Sequence, residues 1–444
     1  MNILYLCHQF LPEHIGGTEL YTLGLARRAH QAGHQVLVAH YVESPSGDRA
    51  DVRLEYDQYQ GIPTAQIFFN LSLAGHPLRA EYQNTELVPF FQELHQAFQP
   101  DLVHHTHSMK LTASALRYFA RQGVRSILTM PDFWHICPRH TLIKWDGSLC
   151  TGPRSPYYCA KCLHRTHGFL PEKIMAWPEP VKAAYFALHD HLPTWPAAPT
   201  VKRDARAMRQ RNDFLLESAL LADRILVLSE FQRSVLIANG YPADRLLLTR
   251  HGLEVTGLSP KTEPVASDQP LRLTFIGSIA PHKGVHILLE AFAKTENEQL
   301  SLTIYGSFEA PNAYQQEIQN LAEAVPRCTL AGTFPFDQMG VVLEQTDVLV
   351  MPAQWYENEP LVVKAALYCH IPVMTTRIGS LPDMIEAGKT GWLLPLDDTQ
   401  AWTDALNKLT PEYLQTFSRG TYPVYSMDAY FTDIHNLYKQ LADA

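Results

Sequence analysis

The sequence has no excess of positive charge: 36 Lys and Arg stand against 45 Asp and Glu, a formal net charge of −9. Such a balance offers no global attraction to nucleic acid or to anionic lipid. Also missing is any apolar run near the ~18 residues that a membrane-spanning helix needs. Charge of either sign is sparse, at 18% of residues, while 46% are apolar. That excludes a disordered chain and leaves ample material for a core. There is no low-complexity run and no short-period repeat. Met1–His8 lacks the basic leader of a secretory signal, and its apolar run stops at His8. It reads as a buried first strand, and the cytoplasm is the expected compartment. Seven Cys, an odd number, fit a reducing compartment better than a disulfide framework.

What is present is a rhythm. At 444 residues the chain has room for two or three domains. Short apolar runs alternate with helical patterns. Strands are expected at Asn2–Cys7, Gln35–Ala39, Leu102–His105, Ser126–Thr129 and Ile225–Leu228. Helices are expected at about Thr18–Ala32, Leu111–Arg121 and Ser229–Asn239, with Gly33 and Gly240 as stops. The rhythm fails over Thr256–Pro270, which reads as a linker, and then restarts. Strands follow at Leu271–Ile276, Leu302–Tyr305, Val348–Met351 and Val373–Thr375, and helices at Val285–Lys294 and Leu361–Cys369. Alternation of this kind builds parallel sheets with helices on both faces. The expected architecture is two doubly wound Rossmann-like domains facing each other across a cleft. Residues 1–254 would form the first, with an elaboration at about 133–212 rich in Pro, Cys and Trp (Trp134, Trp145, Trp177). Residues 255–425 would form the second, and 426–444 a C-terminal amphipathic helix over Ala429–Leu441. Ligands of such sheets sit at the carboxyl ends of the strands.

Three strand-to-helix connections could carry chemistry. Gly277-Ser278-Ile279-Ala280-Pro281-His282-Lys283-Gly284 joins a Gly-permitted turn, a helix start and a cation, which suits a diphosphate. It is not a Walker loop, and a tight turn with a surface Lys is the plainer reading. Gly16-Gly17-Thr18-Glu19 would aim a second helix N-terminus at a ligand; an ordinary turn capped by Thr18 is its alternative. Met351 to Val363 packs Glu357, Asn358 and Glu359 beside Trp355 and Tyr356. Carboxylates there would accept hydrogen bonds from sugar hydroxyls, while free N–H groups hold phosphate. The alternative is a helix start with acids favoured by its dipole.

Taken in order, Gly-Gly-Thr-Glu, Phe-Ile-Gly-Ser-x5-Lys-Gly-Val, Tyr-Gly-Ser and Trp-Tyr-Glu-Asn-x-Pro-Leu-Val resemble the retaining glycosyltransferases of family 4, which have the GT-B fold. The resemblance runs over nearly the whole chain apart from the Cys-rich insertion. It implies that Gly16 and Gly17 face the donor's phosphate and sugar. Lys283 would bind the diphosphate, beside Gly277 and Ser278, and Gly306 and Ser307 would lie near the nucleotide. Glu357 would be the first acid of the family's Glu-x7-Glu motif, which contacts the donor sugar. Asn358, Pro360, Leu361 and Val362 would form the turn whose amides meet the diphosphate. The C-terminal helix would cross back to the first domain. Catalysis would rest on Glu357 and Lys283, with Asp132 and His107 near the sugar. It needs no metal or other cofactor and no general base of the usual kind. Three positions depart from the family: Ala365 replaces the second Glu, Ser278 stands where Arg is common, and Pro131 replaces His in Thr129-Met130-Pro131-Asp132. The implied activity moves a sugar from a nucleotide diphosphate to a glycan or lipid-linked acceptor, in surface or exopolysaccharide assembly. The departures keep open a non-catalytic protein of this fold that binds a glycan or a partner enzyme. A nucleotide-sugar epimerase is a third reading.

Cys137-x12-Cys150-x8-Cys159-x2-Cys162 supplies four thiols that suit a structural zinc, with free buried thiols or an iron–sulfur cluster as alternatives. His104, His105 and His107 read as a strand end with alternating faces before they read as metal ligands. The basic stretch Lys202–Arg211 reads first as a solvated helix face. Its sharper reading is peripheral contact with the inner face of the cell membrane, where lipid-linked acceptors reside.

Overall fold

The computed structural model describes residues 1–44, 51–74, 76–164, 177–178, 180–181, 184, 199–262, 269–309, 311–325, 327–417 and 424–443. The chain divides into two compact units. Unit 1 gathers Met1–Leu228, Gln232–Thr249 and Phe431–Ala444; unit 2 gathers Ser229–Phe231 and Arg250–Tyr430.

The strands of unit 1 are β1 (Asn2–Cys7), β2 (Gln35–Glu43), β3 (Arg53–Tyr59), β4 (Ile62–Phe69), β5 (Leu102–His105), β6 (Arg125–Met130), β7 (Arg224–Val227) and β8 (Leu246–Leu248). They form one sheet in the order β3-β4-β2-β1-β5-β6-β7-β8. All neighbours are parallel except β3 and β4. The central strands are buried on both faces, as a sheet covered by helices requires: β1 is buried from Ile3 to Cys7 and β5 throughout, including His104 and His105. β3 is the exception. It is largely exposed, with polar residues facing water, and a half-polar strand of that kind gives no apolar run to recognise. Helices Gly17–Gln31 and Ala113–Arg121 fall close to the expected bounds. The first is capped by Gly16 in an extended conformation, with no side-chain cap, so Thr18 does not play that role. Within the Cys-rich elaboration, helices cover Pro156–His164 and Pro199–Ala219.

In unit 2 the strands are β9 (Leu271–Ile276), β10 (Leu300–Tyr305), β11 (Cys328–Gly332), β12 (Val348–Met351), β13 (Val373–Thr376) and β14 (Gly391–Leu394). The order is β11-β10-β9-β12-β13-β14, parallel throughout. β9 and β12 are central and adjacent, so their carboxyl ends open side by side. One core packs Leu273 and Phe275 of β9 and Val350 of β12 against Leu288 and Phe292 of helix Val285–Lys294 and against Trp402. The expected linker has no helix or strand over 256–262; 263–268 lie outside the described residues.

The last helix, Met427–Ala442, carries Tyr438 into unit 1. The Tyr438 hydroxyl lies 2.7 Å from His104 Nδ1 and 3.3 Å from the Tyr5 hydroxyl, with all three residues fully buried. Burial pulls His104 down to about 3, so the ring is neutral and its other nitrogen meets Thr129 Oγ1 at 2.8 Å. A Tyr438→Phe variant removes the partner of two buried polar groups. It should lower the stability of unit 1 by about 1–3 kcal/mol, read by denaturant unfolding.

Candidate active site

In unit 1 the carboxyl ends of β1, β5 and β6 bring four titratable side chains together. His107 follows β5, and its Nδ1 accepts the Met109 backbone N–H at 3.0 Å. The ring proton therefore sits on Nε2, which meets Asp132 Oδ2 at 3.1 Å. Asp132 follows β6, and its other oxygen accepts the Trp134 N–H at 2.8 Å. Burial alone would raise the Asp132 carboxyl; the His107 contact and that amide outweigh it and hold the group well below the usual carboxylate range. His8, just after β1, lies with its ring 4.3 Å from that of His107 and its Nε2 3.4 Å from Glu19 Oε1. Burial drives His8 well down and Glu19 up. Glu19 lies in the first turn of the helix that opens at Gly17. An added Cβ at Gly16 would stand 2.6 Å from Glu19 Oε2.

Sequence reasoning expected His107, Asp132, Gly16 and Gly17 here and missed His8 and Glu19. Glu19 had a signal, since it completes the Gly-Gly-Thr-Glu string. Also missed was Gln232, fully buried, whose amide donates to the carbonyls of Met130 and Asp132 at 2.7 and 3.1 Å. It fixes the loop in which Pro131 stands. An imidazole is absent at Pro131, and β5 supplies one beside Asp132 instead. The three clustered His part company: His104 bonds Tyr438 and Thr129, while His107 bonds Asp132. Their strand-end reading accounts for these bonds.

In unit 2 the ends of β9, β10 and β12 make the second constellation. Lys283 Nζ donates to Glu357 Oε1 at 2.6 Å, and Trp355 Nε1 donates to the same oxygen at 2.6 Å. The ammonium also lies 4.8 Å from the centre of the Trp355 ring, close enough for a cation–π attraction. His282 packs edge-on against that ring. Glu357 is buried and its backbone is gripped: its carbonyl accepts the Ser380 N–H at 2.9 Å. Gly379, with φ +59°, passes so near that an added Cβ would lie 2.6 Å from that carbonyl. Gly306 closes on Gly277, with room for no Cβ between its Cα and the Gly277 carbonyl. Ser278 and Ser307 are exposed beside them.

Asn358 is buried, and Pro360 caps helix Leu361–Tyr368 without a side-chain acceptor. The first-turn N–H groups of a helix have no intrahelical acceptors, so Leu361 and Val362 present amides and the positive end of a dipole. The position of the second family acid, Ala365, is buried at 2% exposure. Its neighbour Lys364 donates to Glu359 Oε1 at 3.0 Å and to the His251 carbonyl, and Glu359 Oε2 accepts the His251 N–H at 2.6 Å. Glu359 therefore does not replace the lost acid. A cavity of about 720 Å³ opens at the opposite ends of these strands, between Lys261, Arg272 and Asp347, away from every residue named above.

Both halves match known proteins. Residues 15–185 match the family described as Glycosyltransferase Family 4, and residues 270–411 match that described as Glycosyl transferases group 1. Together these span more than half of the chain. The chain belongs to the family 4-like glycosyltransferases. It is 28% identical over 195 residues to the amylovoran biosynthesis glycosyltransferase AmsK of Erwinia amylovora, covering 42% of this chain and 47% of that one. With the D-inositol 3-phosphate glycosyltransferase of Corynebacterium jeikeium it shares 32% identity over 184 residues, 38% of this chain and 43% of that one. The chain thus spans about half the length of the curated relatives it matches. Among solved structures, Anabaena Alr3699/HepE in complex with UDP aligns with a TM-score of 0.64 at 14% identity, covering 99% of this chain and 100% of that one. Sucrose-phosphate synthase of Thermosynechococcus elongatus aligns at 0.60 and 17% identity, over 99% and 98%. The fold is GT-B, with two Rossmann-like domains.

Two variants separate tight geometry from tolerant geometry. Gly284 has φ +74°, and an added Cβ would overlap the Pro352 carbonyl. Gly284→Ala should destabilise unit 2 by at least about 2 kcal/mol. In Gly16→Ala the clash falls on a flexible carboxylate, and the loss should stay under about 1 kcal/mol. Denaturant unfolding compares the two. Lys364→Met would leave Glu359 buried and unpaired and should cost about 3–5 kcal/mol, read in the same way.

Proposed function

We propose that this protein is a retaining glycosyltransferase that moves a sugar from a nucleotide diphosphate to a glycan or lipid-linked acceptor. The observation that carries the reading is the Lys283–Glu357–Trp355 cluster beside the amides of Leu361 and Val362. Breaking the bond between the anomeric carbon and the donor oxygen sends an electron pair, and so charge, onto the leaving diphosphate. Lys283 and those amides would stabilise that charge as it develops. Glu357 and Asn358 would accept and donate hydrogen bonds at the sugar, with Glu357 held in place by Trp355. Gly277, Ser278, Gly306 and Ser307 would border the nucleotide. In unit 1, Gly16, Gly17, His107 and Asp132 would meet the sugar and phosphate, with His107 as a hydrogen-bonding group.

The names of relatives point to a biosynthetic setting: AmsK acts in amylovoran biosynthesis. Assembly of a surface or exopolysaccharide is the process we propose. Among the described residues no helix is long and apolar enough to cross a membrane. A lipid-linked acceptor would be reached by peripheral contact at the cytoplasmic face, through the exposed Arg206 and Arg209. Arg211 does not belong to that face: it is fully buried and donates to the Trp134 carbonyl.

A second reading, a non-catalytic glycan- or partner-binding protein, is favoured by Ala365, which leaves the ribose hydroxyls without their acid. A thermal-shift panel of UDP, GDP, ADP and dTDP with their sugars decides between the two. Binding to the native state alone raises the melting temperature. One nucleotide should produce a clear rise, and Lys283→Ala should abolish it. Glu357→Ala should keep the nucleotide response and lose sugar transfer. No rise with any nucleotide at millimolar concentration would transfer the weight to the non-catalytic reading.

A further inference from the structure

We propose that Cys137, Cys150, Cys159 and Cys162 bind one structural zinc ion, and that this ion fixes the loop carrying Asp132. The four thiols come from three separate stretches. Cys137 closes the turn that begins at Phe133, its N–H bonded to the Phe133 carbonyl at 2.8 Å. Cys150 follows a short hairpin whose strands meet at Ile143 and Leu149, and its N–H bonds the Leu142 carbonyl at 2.8 Å. Cys159 and Cys162 stand three residues apart on helix Pro156–His164, a spacing that puts both on one face. All four line a single cavity of about 30 Å³, walled by Ile136, Pro138, Ile143 and Tyr158. All four are free thiols.

Among the described residues no three His, Cys, Asp or Glu side chains stand in the arrangement of a formed metal site. The Cys150 thiol explains part of this, since it is turned onto the Gly152 carbonyl at 3.0 Å. Rotation about its Cα–Cβ bond would bring the sulfur round toward the cavity. Four thiolates, a tetrahedral demand and Zn–S distances of about 2.3 Å match a cavity of this size. The surroundings need such a staple. Among the described residues, the local apolar cluster has Leu78, Ala160, Ala207 and Met208 as its buried members, a small core for three irregular stretches.

The consequence reaches the site in unit 1. Cys137 ends the turn that Phe133 begins, directly after Asp132. The Phe133 N–H also bonds the His140 carbonyl at 3.2 Å, and the buried Arg211 donates to the Trp134 carbonyl. Zinc at Cys137 would thus hold the segment from Asp132 to His140 from its far side. All four sulfurs ligate, so no position is left for substrate, and the ion is structural.

The test uses the full chain purified under reducing conditions without added metal. Elemental analysis should find about one zinc per chain. Titration with a mercurial in the presence of a chromophoric chelator should release it in proportion to thiol modification. Cobalt-loaded protein should show thiolate-to-cobalt charge-transfer bands, lost in the Cys159→Ser/Cys162→Ser variant. If that variant fails to fold, the titration of the unmodified chain still decides. Protein free of zinc with these four thiols reactive, iron in place of zinc, or zinc retained in the double variant would each overturn the proposal. The nucleotide response of unit 2 is read separately, so the two proposals fail independently.

Discussion

The contact on which unit 2 depends is the buried pair between Lys364 and Glu359. Each is under a tenth exposed, and each also bonds the backbone of His251, at the segment where the chain returns to this unit. Burial opposes both charges, raising Glu359 and lowering Lys364, while their mutual attraction works against both shifts. The pair fixes the start of helix Leu361–Tyr368 against the stretch around His251, which Leu253 also ties to Tyr425 and Met427. Everything at the ligand end inherits that position: the amides of Leu361 and Val362, and Glu357 two residues before Glu359. The acid at 359 is committed to architecture, and the role proposed at the sugar falls to the acid at 357.

The two constellations differ in character. In unit 1, His107 divides its bonds between a backbone amide and a firmly ionised carboxylate, with His8 and Glu19 beside them. In unit 2, an ammonium, a carboxylate and an indole share one oxygen, so the charge is balanced before any ligand arrives. An incoming diphosphate would compete with Glu357 for Lys283. The same contact orders the lysine in advance and, on the proposed function, would loosen when the diphosphate binds.

Much of this was legible in the sequence because parallel sheets write apolar runs. β1, β5, β9 and β12 fall at the expected residues, and so does helix Val285–Lys294. The edge strand β3 was not legible, since an exposed strand alternates too weakly to stand out, and its largely buried neighbour β4 was missed with it. Lys283 and Glu357 were readable from strings with fixed spacing, and their mutual bond was not. Their 74-residue separation is bridged only when β9 and β12 become neighbours. Gln232 and Gly379 act through backbone grips that leave no pattern at all. Arg211 misled for a related reason: in a basic stretch, one guanidinium turns inward to a carbonyl, and composition does not tell which.

The order in which the chain is made bears on how unit 1 is completed. Its sheet is built from the first 250 residues, yet His104 receives its partner from Tyr438, 334 residues later. A growing chain emerges from the ribosome amino end first, and domains tend to fold as they emerge. Unit 2 lies between the two parts of unit 1 and has all its strands in one continuous run. It can therefore finish while the core of its neighbour still holds an imidazole that lacks one of its two partners. Helix Met427–Ala442 acts as a closing seal, and a nascent chain that stalls before it would leave the older half unfinished.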